Sequence, residues 1–192
     1  MSESIFTTQT PTNFYADGPF TLGTVFQASV DGTVDGIRFW TPATFENGRK
    51  GLLYRLIDDL NGTLISPIID LVTTVDNGWN TTNFPSPIPI TANTRYVITA
   101  FYPVQYVATP GFFATGPGSV LPGVVNGHLT SPPTGAGSPQ SGNGKFHDHN
   151  SGETTPVYPE GSFQGGFYFV DVLFTPGSAV DPHLASSFLT FF

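Results

Sequence analysis

The stretch VFQASVDGTVDGIRFW, residues 25–40, carries the clearest structural pattern in the chain. Phe26, Ala28 and Val30 alternate with polar or small residues, and the alternation of large apolar residues resumes after Asp31-Gly32. A period of two is typical of strands with one buried face. Asp and Gly both tolerate the positive φ of tight turns, so we predict a hairpin whose turn is Asp31-Gly32.

The second strand of this stretch contains an irregularity. Val34 is out of phase with Ile37 and Phe39, which share the expected buried face. One extra residue in a strand restores the phase, so the pattern predicts a β-bulge at Asp35-Gly36.

Other strands are predicted on both sides of this stretch, at intervals broken by Gly, Pro and Asn-Gly turns. Proline lacks the N–H that a ladder needs, so Pro67 should interrupt one strand, and the prolines of residues 85–89 should prevent regular pairing. The spacing predicts an all-β fold, an antiparallel β-sandwich of jelly-roll type. The predicted strands cover residues 20–26, 52–57, 63–73, 79–84, 95–102 and 166–174.

The domain organisation follows from changes in composition. We predict an N-terminal arm at residues 1–13, a sandwich domain at 14–175 and a C-terminal docking tail at 176–192. Residues 108–165 form a long Gly/Pro/Ser-rich loop inside the domain, of the kind that serves binding or assembly. The tail is expected to be a short helix or extended, and to dock on this protein or on another subunit of a homo-oligomer, through Leu184, Phe188, Leu189, Phe191 and Phe192.

Charge and cysteine content limit the partners. The net charge is −8 with 6 Lys and Arg, which argues against nucleic acid and anionic membranes as partners. With 0 cysteines, disulfides and thiolate metal sites are excluded. No basic and apolar leader and no apolar run of spanning length is visible, so we expect a virion location after release by lysis, or an extracellular or cell-surface one if a signal has been removed.

Two groups of residues are candidate binding sites. His147 and His149 would point the same way on a strand and could bind a metal with Glu153 or His128 as a third ligand, although a solvated loop is the simpler explanation of these residues. Loop aromatics could stack on sugar rings, or could instead anchor the long loop to the sandwich; these are Tyr106, Phe112, Phe113, Tyr158 and Phe163. No nucleophile elbow or phosphate loop is present, so we expect a protein that is not an enzyme and needs no cofactor.

Several motifs resemble a β-sandwich family of unknown function, found in secreted bacterial multidomain proteins and in structural and tail proteins of actinobacterial phages. They are a Gly-Ile-Arg-Phe strand, a Gly-Trp followed by Phe-x-x-Pro, an Ile-x-Ala-Asn-Thr-x-Tyr turn and a closing Val-Asp-Val-x-Phe strand. In this chain they fall at Gly36 to Phe39, Gly78-Trp79, Phe84 to Pro87, Ile90 to Tyr96 and Val170 to Phe174. The resemblance implies no catalytic residues.

The combined expectation is a virion structural or adhesion protein, such as a phage tail, fibre or capsid-decoration subunit that aids host attachment or particle stability. The alternative is a carbohydrate-binding module of a bacterial cell-surface or secreted protein. Expected partners are other virion subunits or a second copy, and a host cell-envelope glycan.

Overall fold

The computed structural model describes residues 1–42, 47–134, 142–150 and 152–177. Every regular element in these ranges is a strand and the strands pair antiparallel, so the predicted all-β sandwich is confirmed. In chain order the strands are β1 (Asn13–Tyr15), β2 (Phe20–Ala28), β3 (Gly32–Thr41), β4 (Lys50–Leu56), β5 (Gly62–Leu64), β6 (Ile69–Asp70), β7 (Gly78–Ile90), β8 (Arg95–Tyr102), β9 (Tyr106–Ala108), β10 (Val124–Asn126), β11 (Leu129–Ser131), β12 (Lys145–Asp148), β13 (Gly161–Ser162) and β14 (Val170–Pro176).

Two sheets form the sandwich. The larger runs β10-β11-β2-β8-β4-β5, with β12 beside β2, β13 beside β12 and β6 beside β4, and the smaller runs β14-β3-β7. Both faces of the larger sheet carry buried apolar clusters. On β8, Ile98 belongs to the main core between the sheets, and its neighbour Val97 belongs to a second cluster on the other face. Tyr158 from the long segment covers that second cluster. A separate pair, β1 with β9, lies at one end.

The hairpin predicted at Asp31-Gly32 is wrong. Strand β2 pairs with β8, whereas β3 pairs with β7 and β14, so residues 29–31 cross from one sheet to the other. The Asp31 carboxylate accepts a hydrogen bond from the backbone N–H of Ala92 at 2.7 Å, which ties the crossing to the turn before β8. Both strands have the predicted buried faces, but they face each other across the core instead of lying side by side.

The bulge is confirmed, and one proline prediction is corrected. The ladder between β3 and β7 shifts register between Val34 and Gly36. Pro67 separates β5 from β6 as predicted. Strand β7, however, continues through the prolines to Ile90, because β7 is an edge strand of the smaller sheet and needs N–H donors on one side only.

Two predicted irregular segments are better ordered than expected. Ile5 and Phe6 of the predicted arm are buried in the core, at 2% and 0% exposure. The predicted loop 108–165 contributes four strands, β10 to β13, of which β11 and β12 pair with β2 in the larger sheet. Of the predicted tail, 176–192, Pro176 belongs to β14, and residues 178–192 lie outside the described residues.

Candidate functional site

A stacked tyrosine pair forms the centre of the candidate site. Strand β1 pairs with β9 so that Tyr15 lies opposite Tyr106, with ring centroids 5.2 Å apart and planes 17° from parallel. Side chains alternate along a strand, so Phe14 and Val107 lie on the other face of the pair. The tyrosines therefore form a continuous aromatic wall on one side of this short sheet.

Further aromatic rings extend this wall into a groove. Tyr106 packs edge-to-face with Phe20 at 5.4 Å and with Tyr168 at 6.2 Å, and Phe146 packs with Phe163 at 6.4 Å. The rings surround two adjoining cavities of about 120 and 200 Å³. We call this feature the aromatic groove and define it by Tyr15, Phe20, Tyr106, Phe146, Phe163 and Tyr168.

Phe163 is the exposed member of the groove, with 60% of its surface accessible. A tight turn presents it: Gln164 and Gly165 both have positive φ, at 54° and 60°, and the Gly166 N–H donates to the Phe163 carbonyl at 3.1 Å. A large aromatic ring held at the surface beside a cavity is an arrangement typical of ligand sites.

Polar groups lie among these rings. Gln164 lines the smaller cavity together with the tyrosines. Burial, followed by the nearby Asp17 carboxylate, raises the pKa of Tyr106, and burial raises the pKa of Tyr168. Both hydroxyls therefore keep their protons at neutral pH, and the Tyr106 hydroxyl is hydrogen-bonded to the Asp17 carboxylate.

The groove contains only part of the predicted sugar-stacking set. Tyr106 and Phe163 belong to it, but Phe112 and Phe113 are core residues at 4% and 0% exposure. Their burial removes them from any sugar-stacking surface and agrees with the alternative that they anchor the long segment. Tyr158 packs on Tyr54 over the outer face of the larger sheet, with ring centroids 5.3 Å apart, and its hydroxyl donates to the Asp58 carbonyl.

The other four groove residues were not predicted from the sequence. The predictions place Phe20 and Tyr168 in strands and Phe146 in the long loop, and they give Tyr15 no role. The sequence signal was weak: Tyr15 follows Phe14, and Tyr106 precedes Val107 and Ala108, but neither short stretch indicates that the two pair.

The two histidines of the predicted metal site lie side by side, with ring centroids 4.5 Å apart, but each has its own carboxylate partner. His147 Nδ1 lies 2.8 Å from a carboxylate oxygen of Glu160. His149 Nε2 lies 2.9 Å from the Thr21 hydroxyl, and its Nδ1 lies 3.2 Å from Glu153. Across the described residues, no three His, Cys, Asp or Glu side chains come together as metal ligands. His128, the other suggested third ligand, pairs with Glu3 instead.

We expect His149 to make stability depend on pH. Burial, followed by His147, lowers the pKa of His149 below its ordinary 6.5, so the unfolded chain binds this proton more tightly than the folded chain. The contribution of His149 to stability is therefore complete above pH 6.5 and is lost as the pH falls further. In urea unfolding between pH 7.5 and 5, the stability of wild type minus that of His149→Gln should decrease as the pH falls. This difference cancels the titration of groups that do not interact with His149, and a difference that does not vary with pH would contradict the assignment.

A second polar cluster lies on the smaller sheet, around Asp171 of β14 and Arg38 of β3. The Asp171 carboxylate is fully buried and accepts hydrogen bonds from the backbone N–H groups of Ile5 at 3.0 Å, Phe6 at 3.1 Å and Val172 at 2.8 Å. Arg38 donates to the same carboxylate at 2.7 Å. Burial raises the pKa of Asp171 to about 6, against Arg38 and the backbone donors, which favour the charged form.

The same arginine connects two further elements. One guanidinium nitrogen also donates to the Phe6 carbonyl at 2.8 Å, and the group lies 4.6 Å above the ring of Trp79. Arg38, Trp79 and Asp171 come from three of the sequence motifs singled out above, which are far apart in the chain. The fold brings these motifs together around residues 5 and 6.

Comparison with known proteins identifies the family. A family model described as a domain of unknown function, DUF4082, matches residues 8–170. The match covers most of the 192 residues, and the chain belongs to this family. No curated protein matches the chain. Among the described residues, there is no helix of the length and apolar character needed to cross a membrane.

Proposed function

We propose that this DUF4082 domain is a non-enzymatic adhesion domain that binds a neutral cell-envelope glycan in the aromatic groove. The observation that carries the proposal is the exposed ring of Phe163 beside two adjoining cavities walled by tyrosine and phenylalanine. The proposal combines the attachment role predicted from the sequence with its carbohydrate-binding alternative.

The composition of the groove suits a sugar. One face of a pyranose ring presents C–H groups, which pack on aromatic rings, while its rim carries hydroxyls that need hydrogen-bond partners. The groove offers both: aromatic rings form its walls, and the amide-bearing residue Gln164 lies among them. The two cavities share Tyr106, Phe163 and Tyr168, which favours a ligand of at least two consecutive sugar units.

The charge of the chain favours neutral over acidic glycans. The net charge is −8, and Asp17 lies beside Tyr106 at the groove. A negatively charged surface repels an anionic polymer and raises the free energy of its approach. We therefore expect neutral hexose or N-acetylhexosamine oligosaccharides as ligands.

Phe163→Ala should weaken glycan binding by about tenfold or more, because removing a central aromatic contact of a small site typically costs about 2 kcal/mol. The wild-type domain is first tested on an array of neutral cell-envelope oligosaccharides, and hits are then titrated calorimetrically with wild type and variant. Phe163 is largely exposed, so the variant should remain folded.

Phe14→Ala is the matched control. Phe14 is also an exposed phenylalanine, at 53%, but it lies on the opposite face of the β1–β9 pair. We expect Phe14→Ala to bind like wild type. Silence of the wild-type domain on the array, or equal losses in the two variants, would refute the proposal.

The same proposal places this domain on a phage tail, fibre or capsid, or on a bacterial surface. It is supported by the likeness of the motifs to phage structural proteins noted above. Docking through Leu184, Phe188, Leu189, Phe191 and Phe192 stays a prediction, because these residues lie outside the described ranges.

A further inference from the structure

We propose that two copies of this chain exchange residues 3–6, each copy inserting this segment into the other and thereby forming a dimer. We call residues 3–6 the strap. The strap slot is the site that holds it, defined by Arg38, Phe112, Phe167, Asp171 and Phe174. This interaction is independent of glycan binding and of the predicted tail contact.

The strap binds as an added strand. Glu3 exchanges two backbone hydrogen bonds with Phe174 of β14, at 2.6 and 2.8 Å. Strand β14 is an edge of the smaller sheet, so its outer N–H and C=O groups are available to any extended segment. Addition of a strand to a sheet edge is a common mode of peptide recognition.

Beyond Glu3 the slot recognises the strap by other means. The Asp171 carboxylate takes the place of a neighbouring strand and accepts the N–H groups of Ile5 and Phe6. The Phe6 ring enters an aromatic pocket, with its centroid 4.0 Å from that of Phe167 and 6.0 Å from that of Phe112. Along the strap, Glu3 therefore pairs with the β14 backbone, the N–H groups of Ile5 and Phe6 bind a carboxylate, and the Phe6 ring fills an apolar pocket.

The larger sheet also holds the strap. The Glu3 carboxylate accepts hydrogen bonds from the His128 backbone N–H at 2.8 Å and lies 2.8 Å from its ring nitrogen. The Asn126 side chain donates to the Ser4 carbonyl at 2.7 Å. Both partners are more than 120 residues away in sequence, so the strap is held by the rest of the domain and not by its own neighbours.

The connection between strap and domain suits exchange. Residues 7–12 are polar, and Thr7, Thr8, Thr10 and Thr12 are exposed. Six residues of extended chain span about 20 Å. Two side-by-side copies can therefore exchange straps while residues 13–177 of each keep their fold.

Exchange replaces each contact with an identical one. The free-energy difference between monomer and exchanged dimer therefore comes from the connection and from the entropy of association, and rising concentration favours the dimer. The family match starts at residue 8, so most of the slot belongs to the shared domain and the strap lies outside the match.

A disulfide test distinguishes exchange from a closed strap. The Ser2 and Thr175 hydroxyl oxygens lie 3.3 Å apart, and the chain has 0 cysteines. Full-length Ser2→Cys and Thr175→Cys single variants are mixed, unfolded in urea and refolded together at high concentration, then mildly oxidised. Exchange predicts a covalent heterodimer on non-reducing gels that increases with protein concentration.

The control pairs Ser2→Cys with Thr63→Cys. Thr63 is exposed and lies on β5, at the opposite edge of the larger sheet from the β10–β11 hairpin that the strap contacts. Heterodimer yields no higher than in this control would overturn the proposal. So would failure of the Ser2→Cys/Thr175→Cys double variant to form a disulfide in either its monomeric or its dimeric fraction, because the strap would then not occupy the slot.

Discussion

Replacing Asp171 with alanine is expected to lower the free energy of unfolding by about 3–5 kcal/mol, the usual cost of removing one partner of a buried ion pair. The Asp171 side chain is 0% exposed, and that of Arg38 is 16% exposed. Without the carboxylate, the guanidinium would remain in a largely dry site, with the Phe6 carbonyl as an uncharged acceptor.

The loss extends beyond the charge pair. Asp171 is also the acceptor for the backbone N–H groups of Ile5 and Phe6, which have no neighbouring strand at this point. An unsatisfied buried donor costs about 1–3 kcal/mol, so the strap should detach in this variant. Urea unfolding measured by tryptophan fluorescence reports this change directly, because Trp79 lies beneath Arg38.

Asp70→Ala is the control for this prediction. Asp70 also pairs with a cation, Lys50, but its side chain is 80% exposed. An exposed pair contributes about 0–1 kcal/mol, so this variant should stay close to wild type. If Asp171→Ala were no less stable than Asp70→Ala, the buried pair would not hold the strap as described.

The features that the sequence predicted correctly are those encoded by local spacing. The bulge at Asp35-Gly36 follows from a change of phase within one strand. Alternation along β8 likewise places Ile98 in the main core and its neighbour Val97 in the second cluster. A period of two shows that one face of a strand is buried, and it does so without information from the rest of the chain.

The features that could not be predicted from the sequence depend on which strands become neighbours in the fold. The turn-like Asp31-Gly32 suggested a hairpin, but β2 and β3 lie in different sheets, and periodicity alone does not assign a strand to a sheet. The ion pair joins residues 133 apart, and no local pattern links Arg38 to Asp171. The motifs that contain Arg38 and Asp171 can be recognised in the sequence, but the contact between these two residues cannot be predicted from it.

The aromatic groove shows the same division. Tyr106 and Phe163 were candidates because aromatic residues in polar loops need either a partner or a ligand. The pairing of β1 with β9 brings Tyr15 to Tyr106, and the pairing of β12 with β2 brings Phe146 to Leu22, next to Phe20. The pairing of β12 with β2 was not predicted, because the Gly- and Ser-rich composition of residues 108–165 indicated a loop and β12 is only four residues long.

Gly144→Ala is expected to be the most damaging single-methyl substitution near the groove. Gly144 has a φ of +71°, a conformation that costs an alanine about 1–2 kcal/mol. An added Cβ would also overlap the carbonyl oxygen of Gly166, which is backbone and has no rotamer to move away. Overpacking of this kind costs about 1–3 kcal/mol more, so the total loss should be about 2–5 kcal/mol.

The position of Gly144 connects this strain to the proposed function. Phe146 follows two residues later on β12, and Phe163 precedes Gly166 in the turn that presents it. Separating Gly144 from Gly166 would therefore move two walls of the aromatic groove apart. We expect Gly144→Ala to lose glycan affinity as well as stability, measured by the same titration as for Phe163→Ala and by urea unfolding.

Gly152→Ala separates backbone strain from overlap. Gly152 also has a positive φ, +90°, but a Cβ added there meets nothing within 4 Å. This variant should lose only the conformational cost, about 1–2 kcal/mol, and should bind glycan like wild type. Because the two variants differ chiefly in the overlap with Gly166, equal stability of Gly144→Ala and Gly152→Ala would show that β12 and the Phe163 turn are not held together at this contact.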